Sequence, residues 1–311
     1  MLILQPKNLY MVIHNIQECL SFKNPVVAMG KFDGVHCGHA ALLNSLIDKA
    51  KKSGGESVVI TFIFSDDKPN SCLTTLSEKR EILRKIGIHH LVEIELNRKL
   101  KNMQADDFIK NILYDKIGAK HIIAGYDQSF GRNSEGNFDM LQQYSAVFGF
   151  TVEQALEFKV EGHKVSSSVI RQAVLAGDLD STNRFLGYNY TVAGTVIDGK
   201  KIGRKIGFPT ANILPDANKL IPACGVYAVE VNVKCGRFSG MLSIGANPTI
   251  DSANRNTSIE VNIIDFDKDI YNEPISIVFR KRLRDEKRFE NIEQLATQIK
   301  IDKEETLKCL N

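Results

Sequence analysis

Two rhythms of apolar and polar positions divide the chain. Up to about residue 177, short apolar runs alternate with stretches of ten or more residues at helical spacing. The runs are VVAMG (26–30), SVVITFIF (57–64), HLVEIEL (90–96), HIIAGYD (121–127) and TVEQALEF (151–158). The helical stretches lie near 38–52, 77–87, 104–117 and 138–148. That alternation predicts βαβ units and a parallel sheet. A further helix is predicted after SSS at 166–168, where a serine hydroxyl can cap the free N–H groups. Beyond AGDLDSTNRFLGYN the pattern changes. From Thr191 to Leu283, β-rich segments (YTVAGTVI, GVYAVEVNV, RFSGMLSIG, TSIEVNIIDF, ISIVFRKRL) are separated by Gly, Pro and Asn turns, among them Asp198-Gly199 and Lys234 to Gly236. An antiparallel barrel or sandwich is predicted there. Phe289, Ile292, Ala296 and Ile299 then recur on one face of a closing amphipathic helix, which is expected to pack on the barrel.

Composition adds little to this division but excludes several classes. A chain of 311 residues, 43 % hydrophobic, suits two domains. Its 40 basic and 37 acidic residues are interspersed, and a net charge of +3 falls short of the basic footprint of a nucleic-acid binder. No stretch is apolar and long enough to span a bilayer, and the amino terminus lacks a basic segment followed by a long apolar one. The six cysteines stand singly, without a CxxC pair, and are expected to be free thiols. A cytoplasmic protein with no nucleic-acid or membrane partner is expected, its oligomeric state left open.

The first chemical candidate is GKFDGVHCGHA (30–40), a glycine-rich turn between a strand and a helix whose first turn is expected to hold His36 and His39. Residues three apart share a helix face, and a helix amino terminus offers N–H groups and a positive dipole end to an anion. Gly30 and Gly34 allow close backbone approach, Gly38 leaves room between the rings, and a partly protonated imidazole would stabilise negative charge. On spacing alone, two polar residues at a helix start remain an equal reading. A second polar cluster, KVSSSVIRQAVLAGDL, offers Ser167, Ser168 and Arg171 as phosphate ligands, or a serine-capped helix with a surface arginine.

Together FDGVHCGH and SSSVIR resemble the nucleotidyltransferase domain of the prokaryotic bifunctional riboflavin kinase/FMN adenylyltransferase (FAD synthetase) family. LSEKREILRKIGIHHL, ADDFIK and HIIAGYDQSFGRNSEGN extend the resemblance. It implies that ATP binds along Gly30, Phe32, Asp33, Gly34, His36, His39, Ser167, Ser168 and Arg171. FMN phosphate then attacks the α-phosphorus and expels pyrophosphate, with His36, His39 and Arg171 stabilising charge. It places the flavin near Phe62 and Asp127. The chain departs from the family pattern where TFIFSDDKPN replaces a usual Pro-His-Pro, where Gln128 stands in place of an aromatic residue, and where Ser168 replaces a frequent threonine.

The second candidate is GKKIGRKIGFPTANI (199–213), whose glycines and cations suit a flap over phosphates. Thr210 and Asn212, two apart, project to one face of an extended segment and suit Mg²⁺ that keeps waters and substrate phosphates as other ligands. A basic turn before a proline-broken edge strand is the alternative. Glu260 is a carboxylate in an apolar strand, its neighbours Ile259 and Val261 pointing the other way; a solvent-facing glutamate opposite a lysine would look the same. No GxxxxGK[ST] loop occurs. GRKIGFPTAN, IPACGVYAV, GMLSIGANPT, IEVNIIDFDKDIY and RLRDEKRF resemble the riboflavin kinase half of the same family. The resemblance implies ATP at Gly203, Lys205, Gly207, Thr210 and Asn212, Mg²⁺ at Thr210 and Asn212, flavin at Gly225, Tyr227 and Arg284, and Glu260 as the base that receives the ribityl proton.

The expected architecture is therefore an α/β Rossmann-like nucleotidyltransferase domain (1–183) followed by an antiparallel β-barrel riboflavin-kinase domain (184–311) with a C-terminal helix. Riboflavin, FMN and ATP are the expected small-molecule substrates, with flavin converted rather than used as a redox cofactor. A kinase that no longer makes FAD is a second expectation, and an RNA-contacting or flavin-responsive barrel a third.

Overall fold

The apolar runs of the first half are strands buried on both faces of a parallel sheet. In a computed structural model of the protein, residues 10–63, 69–199, 203, 207–246 and 257–310 are described. The chain divides into two compact units, Met1–Lys68 with Thr74–Ser167, and Pro69–Leu73 with Ser168–Asn311.

In the first unit the elements run β1 (Val12–Asn15), β2 (Val26–Gly30), α1 (Cys37–Lys52), β3 (Ser57–Ile63), α2 (Leu76–Ile86), β4 (His90–Glu95), α3 (Arg98–Lys101), α4 (Ala105–Asp107), a π-helix (Phe108–Lys116), β5 (His121–Ala124), α5 (Phe138–Phe148), β6 (Thr151–Gln154) and a small hairpin of β7 (Lys159–Val160) and β8 (His163–Lys164). The six-stranded sheet has order β1-β4-β3-β2-β5-β6, every pair parallel. Alternate residues feed two cores. Val26, Ala28, Val59 and Leu91 meet Leu43, Leu46 and Leu83 of α1 and α2, whereas Val27, Ile60, Val92 and Ile122 meet Phe108, Ile112 and Leu141 on the other face. A capping box at Thr75 and Glu78 starts α2, and Gly87, at φ +99°, ends it. The expected strand at 151–158 stops at Gln154 and gives way to the hairpin, and β1 is an edge strand that the pattern did not reveal.

From Ser168 the second unit holds the rest of α6 (Ser167–Ala176) and α7 (Leu179–Leu186), α7 capped by the Asp178 side chain on the Ser181 N–H. A closed barrel follows, of β9 (Thr191–Ile197), β10 (Ala211–Pro215), β11 (Gly225–Val233), β12 (Gly236–Ala246), β13 (Thr257–Ile263) and β14 (Pro274–Arg284), in the order β10-β13-β12-β11-β14-β9. Closure removes the sheet edge, so β10 is not the proline-broken edge strand held open above. α8 (Ile292–Leu310) packs over β11, β12 and β14, which is why β11 is buried on both faces. β13 keeps the alternating pattern of a strand with one open face, Ile259, Val261 and Ile263 inward and Glu260 and Asn262 outward. The inward face of α8 carries Asp302 and Thr306, while Ile292 is 65 % exposed. The sequence boundary at 183/184 falls inside α7, whose Leu179, Thr182, Phe185 and Leu186 are buried.

Candidate active sites

The loop between β2 and α1 holds three backbone conformations that side chains rarely adopt: Phe32 at φ +47°, Gly34 at +80° and Val35 at +35°. A β-branched residue in that region is strained, and such strain persists only where the surroundings over-determine it. Here they do. Phe32, Asp33, Val35 and His36 are all buried. The Gly34 N–H donates to Thr74 Oγ1 at 3.0 Å, the Thr74 N–H donates to Asp33 Oδ1 at 3.2 Å, and the Ser167 hydroxyl donates to the Asp33 carbonyl at 2.9 Å. Lys79 Nζ holds the Lys31 carbonyl at 2.7 Å. Ser167 is thus turned to the loop. Thr74 and Lys79 are braces that the sequence reading missed, since nothing local marks them.

His36 is the N-cap of α1 rather than a residue of its first turn, and its Nδ1 accepts the His39 N–H at 3.3 Å. A neutral ring that accepts at Nδ1 carries its proton on Nε2, which is left as a donor. The His36 and His39 rings stack with centroids 3.6 Å apart. Burial lowers the His36 pKa to about 4, against the opposing pull of Asp33 and Asp127. Burial, then His36 and Lys79, hold His39 well below its ordinary value. Both rings are therefore neutral near pH 7, which corrects the expectation of partly protonated imidazoles. They offer hydrogen bonds, not charge. His39 Nδ1 is buried, with no hydrogen-bond partner among the described residues. The space at Gly38 serves the His36 ring and Phe158, since a Cβ there would lie 3.3 Å from His36 Nδ1 and 3.5 Å from Phe158 Cβ.

Asp127 is exposed on the turn after β5, and Phe62, partly buried near the end of β3, packs against Phe108 with ring centroids 6.2 Å apart. Of the segment TFIFSDDKPN that replaces Pro-His-Pro, residues 64–68 lie outside the described residues. Ser168 and Arg171 belong to the second unit, where Arg171 Nε donates to the Ser71 carbonyl at 2.9 Å.

In the barrel, Asn212 of β10 sits directly opposite Glu260 of β13, with Ser243 of β12 on the far side of Glu260. Thr210, just before β10, donates its hydroxyl to Glu260 Oε2 at 3.1 Å. Asn262 Nδ2 holds the Pro209 carbonyl at 2.7 Å and so fixes the approach to Thr210. A Cβ at Gly199 would displace the Asn212 amide from its present position. Two residues of the GFPTAN motif and one from a separate strand thus meet. Beside them a cleft of about 470 Å³ is lined by Thr210, Phe266, Asp267, Asp269 and Tyr271 among others. The DFDKDIY loop that forms it was quoted from the sequence but given no role. Gly203 accepts the Phe208 N–H at 2.9 Å and Gly207 turns at φ +79°, while Lys205 lies outside the described residues.

The three residues expected to touch flavin here also make framework contacts. Tyr227 is buried, its ring T-shaped to that of Phe279 and its hydroxyl donated to the Ala223 carbonyl at 2.5 Å. Arg284 grips Asp302 with Nε and Nη2 and donates Nη1 to the Asp285 carbonyl. Gly225, at φ +152°, lets β11 pass close to the Arg284 carbonyl.

Comparisons with known proteins match both halves. The FAD synthetase family model covers residues 20–169 and the riboflavin kinase model residues 186–310. A bifunctional riboflavin kinase/FMN adenylyltransferase from Listeria monocytogenes is 37 % identical over 91 % of this chain and 91 % of its own, and one from Pseudomonas fluorescens is 34 % identical over 93 % and 94 %. A crystal structure described as a macrolide-efflux protein from Streptococcus pneumoniae superposes with a TM-score of 0.85 at 30 % identity, over 95 % of this chain and 98 % of that one. Among the described residues no helix is long and apolar enough to cross a membrane. With the parallel-sheet unit matched to one activity, the barrel to the other, and relatives that carry both over nearly their whole length, the chain belongs to the bifunctional riboflavin kinase/FMN adenylyltransferase family and makes FMN from riboflavin and FAD from FMN.

Proposed function

We propose that each activity resides in one of the two polar constellations. Thr210, Asn212 and Glu260 carry the phosphorylation of riboflavin, and the histidine loop carries adenylyl transfer. The observation that supports the first assignment best is the Thr210 to Glu260 hydrogen bond beside Asn212, which groups a carboxylate with two neutral oxygens on the open face of the barrel. Glu260 accepts the proton of the ribityl hydroxyl as that oxygen attacks the γ-phosphorus of ATP, and the Thr210 hydroxyl orients the carboxylate. Thr210 and Asn212 present hard oxygen donors that fit Mg²⁺, which when bound would neutralise charge on the transferring phosphate.

In the other unit, FMN phosphate attacks the α-phosphorus of ATP and pyrophosphate leaves. The His36 Nε2–H and the unpartnered His39 nitrogen supply neutral donors to the phosphate oxygens, and the strained loop brings its backbone close. Asp127 and Phe62 are assigned to the flavin end of this site. A cytoplasmic setting accords with ATP as substrate and with six free cysteines.

The test is a pair of variants assayed for both products. His36→Ala should lower FAD formation from FMN by about 10²–10³ and leave FMN formation intact. Glu260→Gln should lower riboflavin phosphorylation by about 10² or more and leave adenylylation of supplied FMN intact. Equal loss of both activities in either folded variant would remove the two-site assignment.

A further inference from the structure

Gln128, the residue that breaks the family's aromatic pattern, occupies a gap in the parallel sheet. β2 is paired with β3 along its whole length, Val26 to Gly30, but with β5 only at Val26 and Val27. Strand order reverses between β2 and β5, and in open parallel sheets ligands bind where neighbouring strands part at such a reversal. Past Val27 the two strands have no ladder bonds to each other, and the Gln128 carboxamide takes their place. Its Oε1 accepts the Gly125 N–H at 2.7 Å, just after β5, and its Nε2 donates to the Met29 carbonyl at 3.0 Å, near the end of β2. The Gly125 to Gln128 turn also closes on itself, the Gln128 N–H on the Gly125 carbonyl at 3.3 Å, and Gln154 Nε2 holds the Tyr126 carbonyl from β6 at 3.1 Å. That turn carries Asp127, and Met29 leads within a few residues into the strained histidine loop.

We propose that Gln128 is a positioning residue for adenylyl transfer, its carboxamide a strut that ties the Asp127 turn to the end of β2 and keeps the acidic turn and the histidine loop at one spacing across the mouth of the sheet. An aromatic side chain at this position would offer a ring face but no such pair of hydrogen bonds. The strut matters through geometry, because a small misplacement of reacting groups costs rate even when both substrates still bind. The inference rests on the histidine loop being the adenylyl-transfer site, so His36→Ala is assayed alongside: unaffected FAD formation in that variant would fail the site itself, whatever Gln128 does.

Two substitutions test the strut. Gln128→Met keeps the volume and removes both bonds; kcat for FAD formation should fall about tenfold, the size of one net hydrogen bond, with KM for ATP within twofold and riboflavin phosphorylation unchanged. Gln128→Glu keeps the acceptor for Gly125 but, ionised, sets a carboxylate against the Met29 carbonyl. Its activity relative to wild type should be low at pH 7.5 and rise as the pH is lowered towards 5, because the protonated acid regains the missing donor, while the Gln128→Met ratio stays flat. Asp33, His36, Asp127 and Lys164, the charged or titratable groups of the loop, turn and hairpin, are unchanged in all three proteins, and the Gln128→Met ratio serves as the control for their titration. Full kcat in Gln128→Met, or the same flat pH ratio for both variants, would overturn the proposal.

Discussion

A ring that caps a helix and is buried at the same time is forced to choose one protonation state, and His36 is such a ring. Its Nδ1 is committed to the His39 N–H, and burial lowers its pKa to about 4. The unfolded chain takes up that proton near pH 6.5, so the native state holds fewer protons below it. The contribution of the neutral ring to stability is present above pH 6.5 and is lost as the pH falls through 6.5 towards 4, amounting to at most about 3 kcal/mol. His36→Asn retains a strong N-cap and abolishes the titration. The denaturation midpoint of the first unit should therefore fall less between pH 6.5 and 4 in His36→Asn than in wild type; identical slopes would show that His36 does not carry this acid sensitivity. The spacing of His36 and His39 was readable from the chain, and so was the glycine turn before them. Their charge was not, because the burial that sets it depends on how the loop folds, braced by Thr74 and Lys79 from outside the motif.

A helix docked by an ion pair shows why apolar periodicity misleads at the level of an element. α8 was legible as a helix, but its expected face included Ile292, which is exposed, while the seam holds Asp302 at 3 % exposure and Thr306 at 0 %. Asp302 meets Arg284 of β14 through Nε at 2.9 Å and Nη2 at 2.7 Å. Removing one partner of a buried pair strands the other charge, so Asp302→Ala should cost about 3–5 kcal/mol, whereas the double change Arg284→Met with Asp302→Leu should recover most of it. Urea denaturation of the second unit measures both, and a loss below about 0.5 kcal/mol in Asp302→Ala would assign α8 docking to its apolar contacts alone. The barrel strands were easier to read, since closure and a buried interior impose a period of two on β13. β1 escaped notice because four half-exposed residues at a sheet edge carry almost no pattern, and the π-helix at Phe108–Lys116 has the same apolar density as an ordinary helix.

Across the whole molecule, the two units are not consecutive in the chain. Residues Pro69–Leu73 belong with the barrel although the first unit surrounds them in sequence. Cys72 and Leu73 are buried, Cys72 bridges to Lys219, and the Lys219 ammonium, itself buried, donates to the Leu73 carbonyl at 2.6 Å. We therefore take the divide before α6 rather than at 183/184. A fragment of residues 168–311 should phosphorylate riboflavin and melt above one of residues 184–311, which cuts α7 and discards the buried Leu179 and Thr182, yet below the full chain. Lys219→Met should narrow that last difference by relieving an ammonium that has lost the Leu73 carbonyl. Equal melting of the two fragments would place α7 outside the kinase unit. No local pattern announces such an excursion, since five residues change allegiance without any break in composition. Leu73 and Lys219 are separated by 146 positions. At a synthesis rate of about 5–20 residues per second, the Cys72–Leu73 stretch leaves the ribosome roughly 7–30 s before the lysine that receives it. For that interval the strand partner and the ammonium that will hold this stretch are still untranslated, so the second unit has to close around a segment made long before the rest of it.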